Sequence, residues 1–242
     1  MGDLLTMLGL GFGAGCLIAL LGLGHFRRRG GGRPALGLMK VICVPLVRLY
    51  WGARYRDFDR MPAEAPAEGL IVVSNHTSGL DPVLIEYATN LDIRWLMMKA
   101  MMVPGVRAFA RWKRLFQIEF GPGDRAVIRQ AMKAVKAGEV IGIFPEGGIE
   151  RPARRIRPFM KGVGLMVAKT GARVALVQID GVPEHENAFT GILLPCRARV
   201  RLIDVIDYGE ERDAGMICED LRQRMQAATG WPLEDEPIVH NS

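Results

Sequence analysis

From Leu70 onward, short continuous apolar runs alternate with longer amphipathic ones. Leu70-Ile71-Val72-Val73-Ser74 and Val140-Ile141-Gly142-Ile143 are rich in β-branched residues and bounded by loop residues. That is the pattern of strands buried on both faces of a parallel sheet. Residues 93–98, 115–120, 174–179 and 199–206 read as further strands, and 54–60 alternates like an edge strand. Helical periodicity covers the segment opening Pro82-Val83-Leu84-Ile85, then 106–112, 124–136, 159–170 and 213–229, with Gly138 and Gly171 as stops. Strands alternating with helices predict an α/β fold, a mixed and largely parallel sheet flanked by helices on both faces.

The first fifty residues follow a different pattern. Residues 4–26 are almost wholly apolar and uncharged, and Arg27-Arg28-Arg29 follow at once. About 20 apolar residues can cross a bilayer as a helix. Asp3 is the only charge ahead of the run, which argues against a signal peptide. The arginines behind it predict an N-terminus outside and the rest of the chain on the cytoplasmic face of the cell membrane. Gly11-x-x-x-Gly15 reads as a close-packing face in lipid. After the flexible Gly30-Gly31-Gly32-Arg33-Pro34, residues 36–51 are apolar apart from Lys40 and Arg48 and are interrupted by Pro45. This segment is expected to lie in the interface as a helix with snorkelling cations. The expected organisation is an anchor helix at 1–29, an interfacial segment at 30–53, a main domain at 54–230 and a tail at 231–242.

Charge and cysteine usage narrow the partners. A net charge of +6 and a pI near 9.4 call for an anionic partner. No Cys-His finger, RNA-binding signature or basic heptad region favours nucleic acid, so membrane lipids are the expected partner. Cys16, Cys43, Cys196 and Cys218 are scattered, without a CxxC. Neither a zinc site nor a disulfide framework is indicated, and a reducing, cytosol-facing domain fits. His185, in the polar stretch Glu184-His185-Glu186, reads as surface loop rather than metal ligand.

The candidate chemistry lies in Asn75-His76-Thr77-Ser78-Gly79-Leu80-Asp81-Pro82, between a buried strand and a helix start. Open α/β sheets place their chemistry on such turns. Histidine can take and return a proton near neutrality, and a carboxylate on its other ring nitrogen fixes the tautomer. If a helix opens at Ser78, Asp81 lies in its first turn and leans back toward His76. The same residues also spell a capping box, Ser78-x-x-Asp81, with Pro82 as a helix opener.

A second motif, Phe144-Pro145-Glu146-Gly147-Gly148, follows the strand at 140–143. His-x-x-x-x-Asp followed some seventy residues later by Phe-Pro-Glu-Gly resembles the glycerolipid acyltransferase family, typified by 1-acylglycerol-3-phosphate acyltransferases, over roughly residues 40–210. The resemblance implies transfer of an acyl group from acyl-CoA or acyl carrier protein to a lipid hydroxyl, with no cofactor and no covalent enzyme intermediate. It implies His76 as base and Asp81 as its partner. It also implies that Glu146 belongs to the acceptor site, holding the glycerol-phosphate end directly or by ordering basic neighbours. Gly147 and Gly148 permit close backbone approach. Arg151, Arg154 and Arg155, in a dense basic run, are candidates for a phosphate or an anionic headgroup.

The chain departs from that family in three places. Phe116-Gln117-Ile118-Glu119-Phe120 carries no arginine where the family commonly has one. Ile149 stands two places after Phe-Pro-Glu-Gly in place of the usual arginine, with Arg151 displaced by two. Val174-Ala175-Leu176-Val177 lacks the family's proline. These changes leave acyl transfer intact and keep other lysolipid acceptors open beside 1-acylglycerol-3-phosphate. A thioester hydrolase and a non-catalytic membrane module are the readings from other classes.

Overall fold

The computed structural model describes residues 21–238 except 122, 150, 186 and 212. The predicted membrane span at 4–26 therefore lies mostly outside the described residues; 21–29 is helical. Among the described residues no helix is long and apolar enough to cross a membrane. Helix α1 (Pro34–Pro45) opens on its proline and ends on another. Proline lacks an N–H, and the chain continues as a wider turn over Leu46–Tyr50, in which Trp51 N–H reaches Leu46 O at 3.0 Å.

Seven strands form one sheet: β1 (Arg54–Arg56), β2 (Leu70–Ser74), β3 (Ile93–Met98), β4 (Phe116–Ile118), β5 (Val140–Ile143), β6 (Arg173–Asp180) and β7 (Arg199–Ile206). Their order is β1-β7-β6-β2-β5-β3-β4, and β6–β7 is the antiparallel pair. β2 and β5 run side by side with Val73 opposite Ile143. From β2 the chain crosses β5 to reach β3, and from β5 it crosses β2 to reach β6. The two connections leave in opposite directions, so a crevice opens between the carboxyl ends of β2 and β5.

Alternation along the strands sends side chains to two cores. Ile71, Val73, Ile141, Val174 and Leu176 face α4 (Asp124–Lys136), α5 (Lys161–Thr170) and α7 (Ala214–Thr229). Leu70, Val72, Ile93, Ala175 and Val200 face the side covered by Val47, Trp51 and α2 (Asp81–Ala88). A bulge at the Leu176/Val177 pairing lets β7 switch parity, so that Val200 and Leu202 meet one core and Ile206 the other. Two further helices are α3 (Pro104–Lys113) and α6 (Ala188–Ile192). The helix after the first motif opens at Asp81 rather than Ser78, because Ser78 to Leu80 are taken up by a turn that Asp81 itself closes.

Candidate active site

β2 delivers its last residue, Ser74, at the crevice, and Asn75 then pins the outgoing chain. Its amide donates to Ile179 O at 2.9 Å and accepts from Ile179 N–H at 2.8 Å, continuing the β2–β6 ladder through a buried side chain. His76 follows on this fixed base. Its Nδ1 lies 2.9 Å from Asp81 Oδ2, and the Asp81 carboxylate is fully buried. The same Oδ2 accepts the N–H groups of Thr77 at 2.7 Å and Ser78 at 2.8 Å. The oxygen that closes this turn is thus also the histidine's partner; the helix itself starts from Leu80 with no side-chain cap bond, so the Ser78-x-x-Asp81 capping box does not form. With both N–H groups taken up there, Nδ1 is the ring nitrogen held against the carboxylate, which leaves Nε2 as the one that can meet a substrate.

The imidazole is held by stacking as well. Its ring lies 4.0 Å from the Phe144 ring at 13°, and Phe144 lies 4.8 Å from Trp95 at 11°. Phe144 is the first residue of the second motif, so β5 places that motif directly against the first. Gly142 makes room for the stack: a Cβ there would come 2.3 Å from the Trp95 indole.

An apolar cavity of about 580 Å³ runs from His76 between the sheet and α2 and α3. Phe144, Pro145, Gly147 and Gly148 of the second motif line it, as do Val83, Met98 and Phe109. Helix α6 closes one side with Phe189 and Ile192. Gly79 lets it come close, since a Cβ at that position would meet Ala188 O at 2.6 Å. Glu184-His185-Glu186 reads in the sequence as surface loop, and no element is predicted for 188–192; the available signal for this helix was Asn187, whose side chain caps Phe189 and Thr190.

The predicted substrate residues divide. Glu146 is 3% exposed, and its neighbours Pro145, Gly147 and Gly148, rather than its own side chain, face the cavity. Arg151 reaches the site, donating to Thr77 O at 2.5 Å and His185 O at 2.6 Å. Arg154 and Arg155 turn away from the cavity. The first pairs with Asp180 at 3.0 Å and the second with Glu234 at 2.6 Å, both partly exposed. A basic run in sequence is spread by the loop it sits on, and only its first arginine is brought to the histidine.

The acyltransferase family model matches residues 54–180, which hold both motifs. The chain belongs to the acyltransferase family. Its fold is that of the crystal structure of the 1-acyl-sn-glycerophosphate (LPA) acyltransferase PlsC from Thermotoga maritima. The two superpose with a TM-score of 0.57 at 17% identity, over 78% of this chain and 80% of that one. The acyltransferase match thus covers the crevice, the His76–Asp81 pair and the stack beneath it.

Proposed function

We propose that this acyltransferase moves a fatty acyl group from an acyl thioester, acyl-CoA or acyl carrier protein, to the free hydroxyl of a lysophospholipid, with 1-acylglycerol-3-phosphate as acceptor and phosphatidic acid as product. The observation that carries the reading is the His76–Asp81 contact of 2.9 Å on the wall of an apolar cavity. His76 Nε2 takes the proton of the acceptor hydroxyl as its oxygen attacks the thioester carbonyl. The carboxylate of Asp81 holds the ring and stabilises its charged form. Collapse of the tetrahedral oxyanion expels the thiolate, which recovers the proton from His76. General-base catalysis of this kind contributes roughly 10²–10⁴-fold. The Thr77 and Ser78 N–H groups already serve Asp81 and Gly147 N–H serves Phe144 O. Gly79 and Gly148, both on the cavity wall, are candidate backbone donors for the oxyanion. The acyl chain occupies the apolar cavity, and Glu146 and Arg151 order the acceptor side.

The membrane supplies the acceptor. Leu38, Ile42, Leu46 and Leu49 recur at helical spacing on α1 and the turn after it and are 42%, 67%, 42% and 83% exposed. Met39, on the same helix, lines the cavity. This segment lies in the lipid interface. Incubating the purified protein with labelled acyl-CoA and a panel of lysolipids tests the reading. Label should pass to 1-acylglycerol-3-phosphate; label released as free fatty acid, or passed to no acceptor, would overturn it.

A further inference from the structure

The segment at 231–234 reads in the sequence as part of a tail, yet it is packed against the loop that carries Arg151. Helix α7 stops where Gly230 takes a φ of 69°, and Pro232 prevents it from resuming. Beyond it the chain runs back beside residues 144–160, which link β5 to α5 and hold both the second motif and Arg151. Among the described residues this link has no helix or strand of its own, and it exceeds the roughly 12–15 residues beyond which such loops are uncommon. It meets the tail in a single parallel bridge, Ile156 opposite Leu233. Ile156 N–H donates to Pro232 O at 3.0 Å, and Glu234 N–H donates to Ile156 O at 3.0 Å. Ile156 is fully buried and joins the same core as Trp231, with Leu233 packed against it. Arg222 of α7, also buried, donates to Glu234 O at 2.5 Å and ties the bridge to the body of the domain. Elsewhere the loop is closed at its base by Met160 N–H on Pro145 O at 2.8 Å, and at the surface Ala153 and Arg154 meet Glu184 and Asp180.

We infer that residues 231–234 are a strap that keeps Arg151 beside His76, with Leu233 and the Glu234 N–H as positioning groups for the acceptor side of the reaction. The inference rests on Arg151 ordering the acceptor, as proposed above. Fixing each loop residue costs conformational entropy, so a link this long keeps one conformation only where buried contacts offset that cost. Ile156 is the one large aliphatic side chain between Ile149 and Phe159, and the tail supplies the partners of both its main-chain groups. The Arg155–Glu234 ion pair is partly exposed and adds little to this hold.

Hydrogen exchange of full-length protein in zwitterionic nanodiscs reads the strap, and transfer from labelled acyl-CoA to 1-acylglycerol-3-phosphate reads its effect. In the wild type the amides of 153–157 should be protected. Leu233→Ser/Glu234→Pro removes the tail's aliphatic contact and the N–H that meets Ile156 O. Exchange over 153–157 should then speed by at least about 10-fold, since one lost main-chain bond is worth roughly 2- to 12-fold and the aliphatic contact adds to it. The acceptor kcat/KM should fall toward that of Arg151→Ala. Made in the Arg151→Ala protein, the same change should cost less than about twofold more, because both act through one group. Glu234→Ala keeps the N–H, loses only the exposed ion pair and should match wild type in both readouts. Wild-type amides exchanging at the rate of a free loop, or a variant as protected as wild type, would overturn the inference. So would a loosened loop with transfer unchanged, or a loss that adds in full to that of Arg151→Ala, the mark of general destabilisation. Should the double variant fail to fold, Glu234→Pro alone carries the same comparison. A wild type that transfers to no lysolipid would fault the proposed function, while exchange still decides whether the tail holds the loop.

Discussion

Gly142→Ala probes the ring stack that holds His76, and two opposing terms set its size. Glycine inside a strand costs roughly 0.5–1 kcal/mol relative to alanine, so backbone entropy alone favours the change. The added methyl, however, would lie 2.3, 2.5 and 2.6 Å from three atoms of the Trp95 indole. Trp95 is 5% exposed and stacked on Phe144, so the ring can retreat only by giving up that stack toward the cavity it lines. Overpacking of this kind costs about 1–3 kcal/mol. The steric term wins, and a net loss of about 1–2 kcal/mol is expected, a fall of roughly 2–8 °C in thermal midpoint. Because Phe144 lies between Trp95 and His76, transfer should fall as well, in protein that is still folded at the assay temperature. Urea titration and thermal melting give the stability, and acyl transfer on the same preparation gives the activity. A Gly142→Ala protein as stable and active as wild type would refute a rigid stack.

Other expectations follow from particular contacts. Gly79→Ala should cost about 1–3 kcal/mol in urea titration, because its methyl must push α6 from the cavity wall. Arg154→Ala and Arg155→Ala remove partly exposed ion pairs and should change stability by no more than about 1 kcal/mol, with the acceptor KM unmoved. Arg151→Ala should slow transfer, since its guanidinium holds the carbonyl next to His76; equal effects at all three arginines in a kinetic comparison would contradict this placement. Burial pushes the Asp92 carboxyl up, but Lys113 and Arg33 beside it outweigh that and hold it below the ordinary 3.8. Its stabilising part is therefore present above that value and lost as pH falls through the lower, folded one. In acid urea titrations, Asp92→Asn should be less stable than wild type at neutral pH and lose stability less steeply below pH 3.8.

The middle of the sheet was legible because β2 and β5 are continuous apolar runs that suit burial on both faces. The His76–Asp81 pairing was legible for a local reason: five residues of chain and one helix start fix both ends of it. What lay beyond reach is non-local. The stack joins Trp95 from within β3 to Phe144 and His76, which follow the ends of β5 and β2, and no spacing announces it. A buried ion-pair cluster gathers Lys40, Glu86, Asp92 and Lys113 from four segments. One sign of it was available, namely Glu86 directly after Leu84-Ile85, with a fully buried lysine on the apolar α1 to meet it. Helix α6 is five residues long, too short for periodicity to register. Arg151, Arg154 and Arg155 look equivalent in sequence, and the loop that separates them has no pattern to read.

The central claim is that the Asp81 charge serves the imidazole and does more than close a turn. Asp81→Asn isolates it, because asparagine keeps an oxygen that can accept the Thr77 and Ser78 N–H groups while removing the charge beside Nδ1. The decisive measurement is the acyl-transfer rate of this variant, in a sample whose thermal midpoint shows it folded. The rate should fall by at least roughly 10²-fold, the low end for a general base that has lost its function. A folded Asp81→Asn enzyme that transfers acyl groups at the wild-type rate would contradict the His76–Asp81 mechanism.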